Sequence, residues 1–266
     1  NKVVIQGGSI TTSGDQHFAE LVVLDKTDTT TNTITTLTST NGTVTFDAAI
    51  HNAVSTAPQS LSVAAAGDVL FSGALGETTS ALGDLVINTP AVTTFAKSVD
   101  AASLKTDVSG VNVATAGNTV VIQGGRITTS GTQTYNEAVL LNNSAHATTL
   151  NTSNVAVLFG DSLNNATTSA EALTINAGTG AVTFQGAVGN STNLAMGALA
   201  VNSGAATTFT STVDAASVST DAAGTVLIKG GRITTSGAQT YNDAMTLGAH
   251  TTLASTAGTL NFVSIE

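Results

Sequence analysis

The chain has no cysteine and no tryptophan, two prolines, and few charges. Each shortage excludes something. Without cysteine there is no disulfide framework and no thiolate metal site. Zero cysteine also fits an exported bacterial protein that stays unfolded during secretion. Charged residues make up 9% of the chain, against roughly 25% in average proteins. Low charge with low aromatic content could indicate disorder. Yet 41% of residues are hydrophobic and mean hydropathy is +0.27, too apolar for that class. Only seven residues are basic, and they form no cluster in sequence. The net charge is −10. Nucleic acid is therefore not an expected partner. No apolar run approaches the roughly 18 residues of a membrane helix, so no membrane insertion is expected. Asn1-Lys2 leads straight into a strand-like phrase with no signal peptide, which reads as a piece of a longer protein.

What is present is repetition. VVIQGGSITTSGDQHFAE at Val3–Glu20 returns as VVIQGGRITTSGTQTYNEA at Val120–Ala138 and VLIKGGRITTSGAQTYNDA at Val226–Ala244. A repeat of this length fixes the architecture before any local reading. Phenylalanine supplies a second, shorter period. Phe46, Phe71 and Phe95 are spaced by about 25 residues, as are Phe159, Phe184 and Phe209, and Phe262 opens a third series. A second strand phrase, such as Leu61–Val63, Leu85–Ile87, Leu173–Ile175 or Leu199–Val201, follows each Phe. Gly, Asn, Asp and Ser separate the phrases as turn residues. Turns of about 25 residues thus lie inside super-repeats of about 110: 1–117, 118–225 and a truncated 226–266.

Short strands, no helical period and one coil of chain per repeat point to an all-β fold. The expected form is a right-handed parallel β-solenoid, or β-helix, continuous over residues 1–266. Its strands would pair about 4.8 Å apart with their copies in neighbouring turns, giving a rod on the order of 50 Å long. Val, Ile, Leu, Phe and Ala would point inward, and Thr, Ser and Asn outward. The Phe residues would form an internal aromatic stack. The uncapped end turns would expose strand edges. The alternative, a chain of β-sandwich domains, needs hairpin signals, and Asn41-Gly42 is the sole Asn-Gly pair.

Few residues offer chemistry. The pairs Gly7-Gly8, Gly124-Gly125 and Gly230-Gly231 are followed by ITTSG, another strand, so they read as tight corners rather than a phosphate loop. Arg126 and Arg232 follow two of these corners while Ser9 holds the place in the first. That reads as a solvent-facing position without a required charge. Asp100 and Asp107 flank one short segment, and Asp214 and Asp221 another. Either pair could hold Ca²⁺ at one loop, against the simpler reading of solvated turn aspartates. His17, His51, His146 and His250 lack metal-ligand spacing and read as surface turn residues. Nothing resembles a catalytic pair of acids, so no enzyme activity and no obligatory cofactor are expected. Ice binding would need a complete threonine ladder, and ITTSG recurs once per super-repeat only. Tyr135 and Tyr241 occupy the place of Phe18, which favours packing over a sugar-stacking platform.

The phrases VTFQGAV at Val182–Val188 and LAVNSGAATTFTSTVDAAS at Leu199–Ser217 resemble the β-strand repeats of large bacterial exoproteins. These are the filamentous haemagglutinin-like and autotransporter-type adhesins. The resemblance covers the whole chain as repeat grammar and composition. It implies secretion to the cell surface and a structural role as adhesin stalk or extracellular fibre. The partners implied are further repeats or the protein itself, end to end, and a host or matrix surface. A self-assembling head-to-tail filament subunit is the second expectation. A carbohydrate-binding or carbohydrate-cleaving β-helix is the third.

Overall fold

The computed structural model describes residues 1–6, 8–25, 34–53, 57–107, 118–190 and 195–266. Gly7 of the first Gly-Gly pair, most of the irregular stretch after Asp25, and the boundary between the first two super-repeats lie outside the described residues. Among the described residues all regular elements are β-strands, and every strand pairing given is parallel. That sets the sandwich reading aside, since hairpins would pair antiparallel. Asn41-Gly42 instead connects Ile34–Ser39 to Val44–Phe46 across a corner. The chain forms two compact units, Asn1–Thr132 and Gln133–Glu266.

In the first unit each turn contributes one strand to each of three parallel sheets. One sheet aligns Phe18, Phe46, Phe71, Phe95 and Ile122 in register. The second aligns Leu37, Val63, Ile87 and Thr106. The third runs from Lys2–Ile5 through Leu21–Leu24 and Ile50–Asn52, then by single bridges through Leu75 and Val99, to Ile127. Alternation makes this work. In Val44–Phe46 the outer two side chains are buried and Thr45 faces out. A strand of three residues can bury two of them because the corner on either side turns the chain back over the core.

The second unit repeats the scheme. Tyr135, Phe159, Phe184, Phe209, Ile228 and Leu247 align on one sheet. Leu150, Ile175, Val201, Thr220, Tyr241 and Phe262 align on a second. Tyr135 and Tyr241 hold the same place in the sequence repeat yet stand on different sheets. The cause is phase. The Gly-Gly segment adds strands without completing a turn, so the super-repeat and the three-strand turn are out of step. The first unit shows the same slip: Lys2–Ile5 lies on one sheet and its sequence equivalent Thr119–Ile122 on another. The aromatic core of the second unit is therefore two stacks rather than one column.

Candidate functional site

The aromatic stacks are the centre of each unit. Phe18, Phe46, Phe71 and Phe95 stack with centroids 4.8, 5.2 and 5.5 Å apart and nearly parallel planes. In the second unit Tyr135, Phe159, Phe184 and Phe209 stack at 5.2, 5.1 and 5.0 Å. Tyr241 begins a new stack with Phe262 at 5.8 Å. These rings are buried, except the half-buried Phe18 and Phe262, which is 37% exposed on the last turn. Strand spacing near 4.8 Å sets ring spacing in this range.

Both tyrosines are inside, so neither offers a platform for a sugar. Their hydroxyls donate to the Oε1 of Gln133 (3.1 Å) and Gln239 (2.9 Å). Burial pushes both phenols well above their ordinary pKa. The glutamines are buried in turn. Gln239 Nε2 donates to the carbonyls of Ile233 and Ala254 and to Thr235 Oγ1; Gln16 makes the matching set with Ile10, Thr38 and Thr12. The second threonine of each ITTSG donates its hydroxyl to the carbonyl of the glycine two residues on, at 2.6 Å in all three copies. The repeated motif is thus a corner clasp, with polar atoms consumed in closing a turn.

The two glycines at each Gly-Gly corner have different reasons. A Cβ on Gly124 would fall 2.0 Å from the carbonyl oxygen of Lys97, and on Gly230 1.9 Å from that of Ser211, each in the turn beneath. Gly125 and Gly231 instead adopt φ of 69° and 73°, which side-chain-bearing residues avoid. Gly8 shows neither constraint.

The arginines after these corners correct the solvent-facing reading. Arg126 donates to both carboxylate oxygens of Asp100 at 2.7 Å and to Thr128 Oγ1 at 2.9 Å. Arg232 repeats the pattern on Asp214 and Thr234 at 2.8 to 2.9 Å. The aspartates are buried and the arginines reach them from a partly exposed position. A buried carboxylate needs such a bidentate partner. Its turn precedes the arginine's, which is why the two are far apart in sequence.

The same geometry dissolves the paired-carboxylate loop. Asp100 and Asp107 stand at opposite ends of the strand Val99–Thr106, as do Asp214 and Asp221 around Val213–Thr220. Each of these strands passes from one sheet to another between its two aspartates, which places the carboxylates on different sides of a corner. Nor are Asp100, Asp107 and Asp214 solvated turn residues, since all three are buried. Asp107 is buried and accepts from the Thr89 N–H and from Asn118 Nδ2. Burial raises its pKa, against the lowering effect of those two donors. Asp221 accepts from the Ser203 N–H at 2.9 Å. No cluster of three or more metal-ligating residues forms among the described residues.

Three histidines face a carboxylate of the following turn: His17 Nε2 and Asp47 at 2.7 Å, His51 Nε2 and Glu77 at 3.3 Å, His146 Nδ1 and Glu171 at 3.2 Å. A groove of about 300 Å³ in the second unit is lined by residues that include Ala195, Met196, Asp214, Ala216, Thr234 and Ser236. Its one carboxylate is the one held by Arg232. The ion pairs and the aspartate clasps were not singled out by sequence reasoning. A signal existed for the clasp: Asp214 and Arg232 repeat Asp100 and Arg126 together.

The chain is a parallel β-solenoid built of repeats. No protein-family model, no curated protein and no solved structure matches it.

Proposed function

We propose that this chain is a structural repeat segment of a secreted or cell-surface bacterial protein, a rigid shaft of an adhesin or extracellular fibre without catalytic activity of its own. One observation carries the reading: the charged clasps and buried glutamines of each unit join one turn to the next or close its corners. Asp100 and Arg126, Asp214 and Arg232, the buried glutamines and the histidine–carboxylate pairs all span turns or close corners. A catalytic site keeps such groups free and breaks the repeat. The resemblance of the repeat grammar to filamentous haemagglutinin-like exoproteins supports the surface location and the role. The adhesin's target would then be sought outside these repeats.

The test is electron microscopy and small-angle scattering of the purified 266-residue chain, with and without a chelator. Elongated particles of uniform width, unchanged by the chelator, are expected. Compact globules would remove the shaft reading, and collapse in chelator would show that a cation holds the turns.

A further inference from the structure

We infer that Asn41-Gly42 is a self-modification site, a deamidation switch held shut by the corner that contains it. Water is the one co-reactant. The backbone nitrogen of Gly42 attacks the side-chain carbonyl carbon of Asn41. The carboxamide nitrogen takes the Gly42 amide proton and leaves as ammonia, and a five-membered imide forms. Water then opens the ring on either side, leaving aspartate or isoaspartate in place of asparagine. Attack is easiest when the following residue has no side chain, and this is the sole Asn-Gly pair of the chain. Asn41 is exposed on the corner between Ile34–Ser39 and Val44–Phe46.

Hydrogen bonds hold both reacting groups. Gly42 N–H donates to Ser39 Oγ at 3.0 Å, and that buried hydroxyl donates to the Gly14 carbonyl of the turn beneath at 2.8 Å. Asn41 Nδ2 donates to Thr40 Oγ1 at 3.3 Å. The flanking backbone is fixed as well. Thr40 N–H donates to the Thr12 carbonyl at 3.0 Å, and Thr43 N–H to Asp15 Oδ1 at 2.8 Å. Attack requires Gly42 to release its proton and the Asn41 side chain to fold over its own backbone, so the corner must open first. The rate in the folded chain is then the unfolded rate multiplied by the open fraction. The last copy separates the clasp from the asparagine. There Gly258 N–H donates to Ser255 Oγ at 2.8 Å and Ser255 Oγ to the Gly237 carbonyl at 2.8 Å. Ala257 stands where Asn41 does, so the clasp itself needs no asparagine. Reclosure fails after the reaction. Isoaspartate lengthens the backbone by one methylene directly before Gly42, which has no room to shift: a Cβ there would already collide with the side chain and backbone of Asp15. The lengthened corner cannot return both Gly42 to Ser39 and Thr43 to Asp15. An opening of this corner is thereby recorded as a covalent break in the clasp between neighbouring turns.

The inference is independent of the shaft reading. Its test is peptide mapping by mass spectrometry of the whole purified chain, aged in buffer with and without urea. Asn41 should deamidate far more slowly in the folded chain than in urea. Ser39→Ala should speed the folded reaction by about tenfold, the equivalent of about 1.4 kcal/mol of lost hydrogen bonding. Ser255→Ala breaks the matching clasp of the last copy and should leave the Asn41 rate unchanged. Asn41→Ala should fold as the wild type does and stay unmodified at this corner. Circular dichroism checks folding, and the comparison of wild type with and without urea stands even if a serine variant does not fold. Hydrogen exchange of the isolated isoaspartyl chain should show lost protection at the Thr40, Gly42 and Thr43 amides after urea is removed. A folded wild type as fast as the unfolded one, or a folded Ser39→Ala no faster than wild type, would overturn the gate. Equal acceleration in Ser255→Ala would assign the rate to opening of the whole chain rather than of this corner. Native protection in the isoaspartyl chain would overturn the one-way closure.

Discussion

At the scale of single residues, the polar core shows how narrow this interior is. Asp243 is 2% exposed, and its Oδ1 accepts from the Gly224 N–H at 2.7 Å. The Thr220 hydroxyl and the Ala223 N–H also face this carboxylate. Burial raises its pKa first; the Gly224 N–H and Thr220 work the other way, and the Asp221 charge adds to the rise. A carboxyl whose folded pKa exceeds its unfolded one contributes most when protonated. That contribution is present below the unfolded pKa and is lost as pH rises through the folded one. Asp243→Asn keeps the acceptor for Gly224, offers Thr220 an N–H and removes the charge. The variant should gain in stability over the wild type at neutral pH, and the gain should shrink in the acid range. Urea midpoints at the two pH values check this. A variant less stable by the same amount at both would show that the buried charge carries no penalty.

The corner is the element on which the repeat turns, and its two glycines separate close approach from backbone conformation. Gly230→Ala drives a methyl into the Ser211 carbonyl of the turn beneath. A rigid backbone clash of this kind costs about 1–3 kcal/mol or more. Gly231→Ala has more room, its nearest neighbour being the His250 carbonyl oxygen at 3.2 Å. It bears mainly the left-handed conformation, about 1–2 kcal/mol. Gly8→Ala, at the equivalent place in the first copy, should be nearly neutral. Denaturant unfolding should therefore rank the three as Gly230, Gly231, Gly8 in falling cost, and a Gly8 variant as damaging as Gly231 would contradict the geometry. The corner was legible in sequence because glycine pairs followed by a strand leave little else to be. The Arg–Asp clasp was not. Its members lie in different turns, and an aspartate inside VDAAS looks like any turn aspartate until the turns are stacked. The slip between super-repeat and turn was equally hidden, since Tyr135 and Tyr241 read alike and yet stand on different sheets.

For the molecule as a whole, stacking makes stability nearly one-dimensional: each turn touches its neighbours and few others. The Phe period was readable because a ring placed on a ring needs one residue per turn, and that periodicity survives every change in the corners. Phe184 tests the consequence. It is buried between Phe159 at 5.1 Å and Phe209 at 5.0 Å. Phe184→Ala removes two stacking contacts and leaves a cavity, at a cost of about 3–5 kcal/mol. In a globular core that loss would lower protection throughout the domain. In a stack of turns it should fall most heavily on the backbone amides of the strands around Phe159, Phe184 and Phe209, and fade along the second unit toward Phe262. Native-state hydrogen exchange reads this turn by turn, because local openings appear as separate free energies. A graded loss centred on Phe184 supports the nearest-neighbour picture. A uniform loss across Gln133–Glu266 would mean that this unit opens as one body, and that its rigidity belongs to the whole stack rather than to each pair of turns.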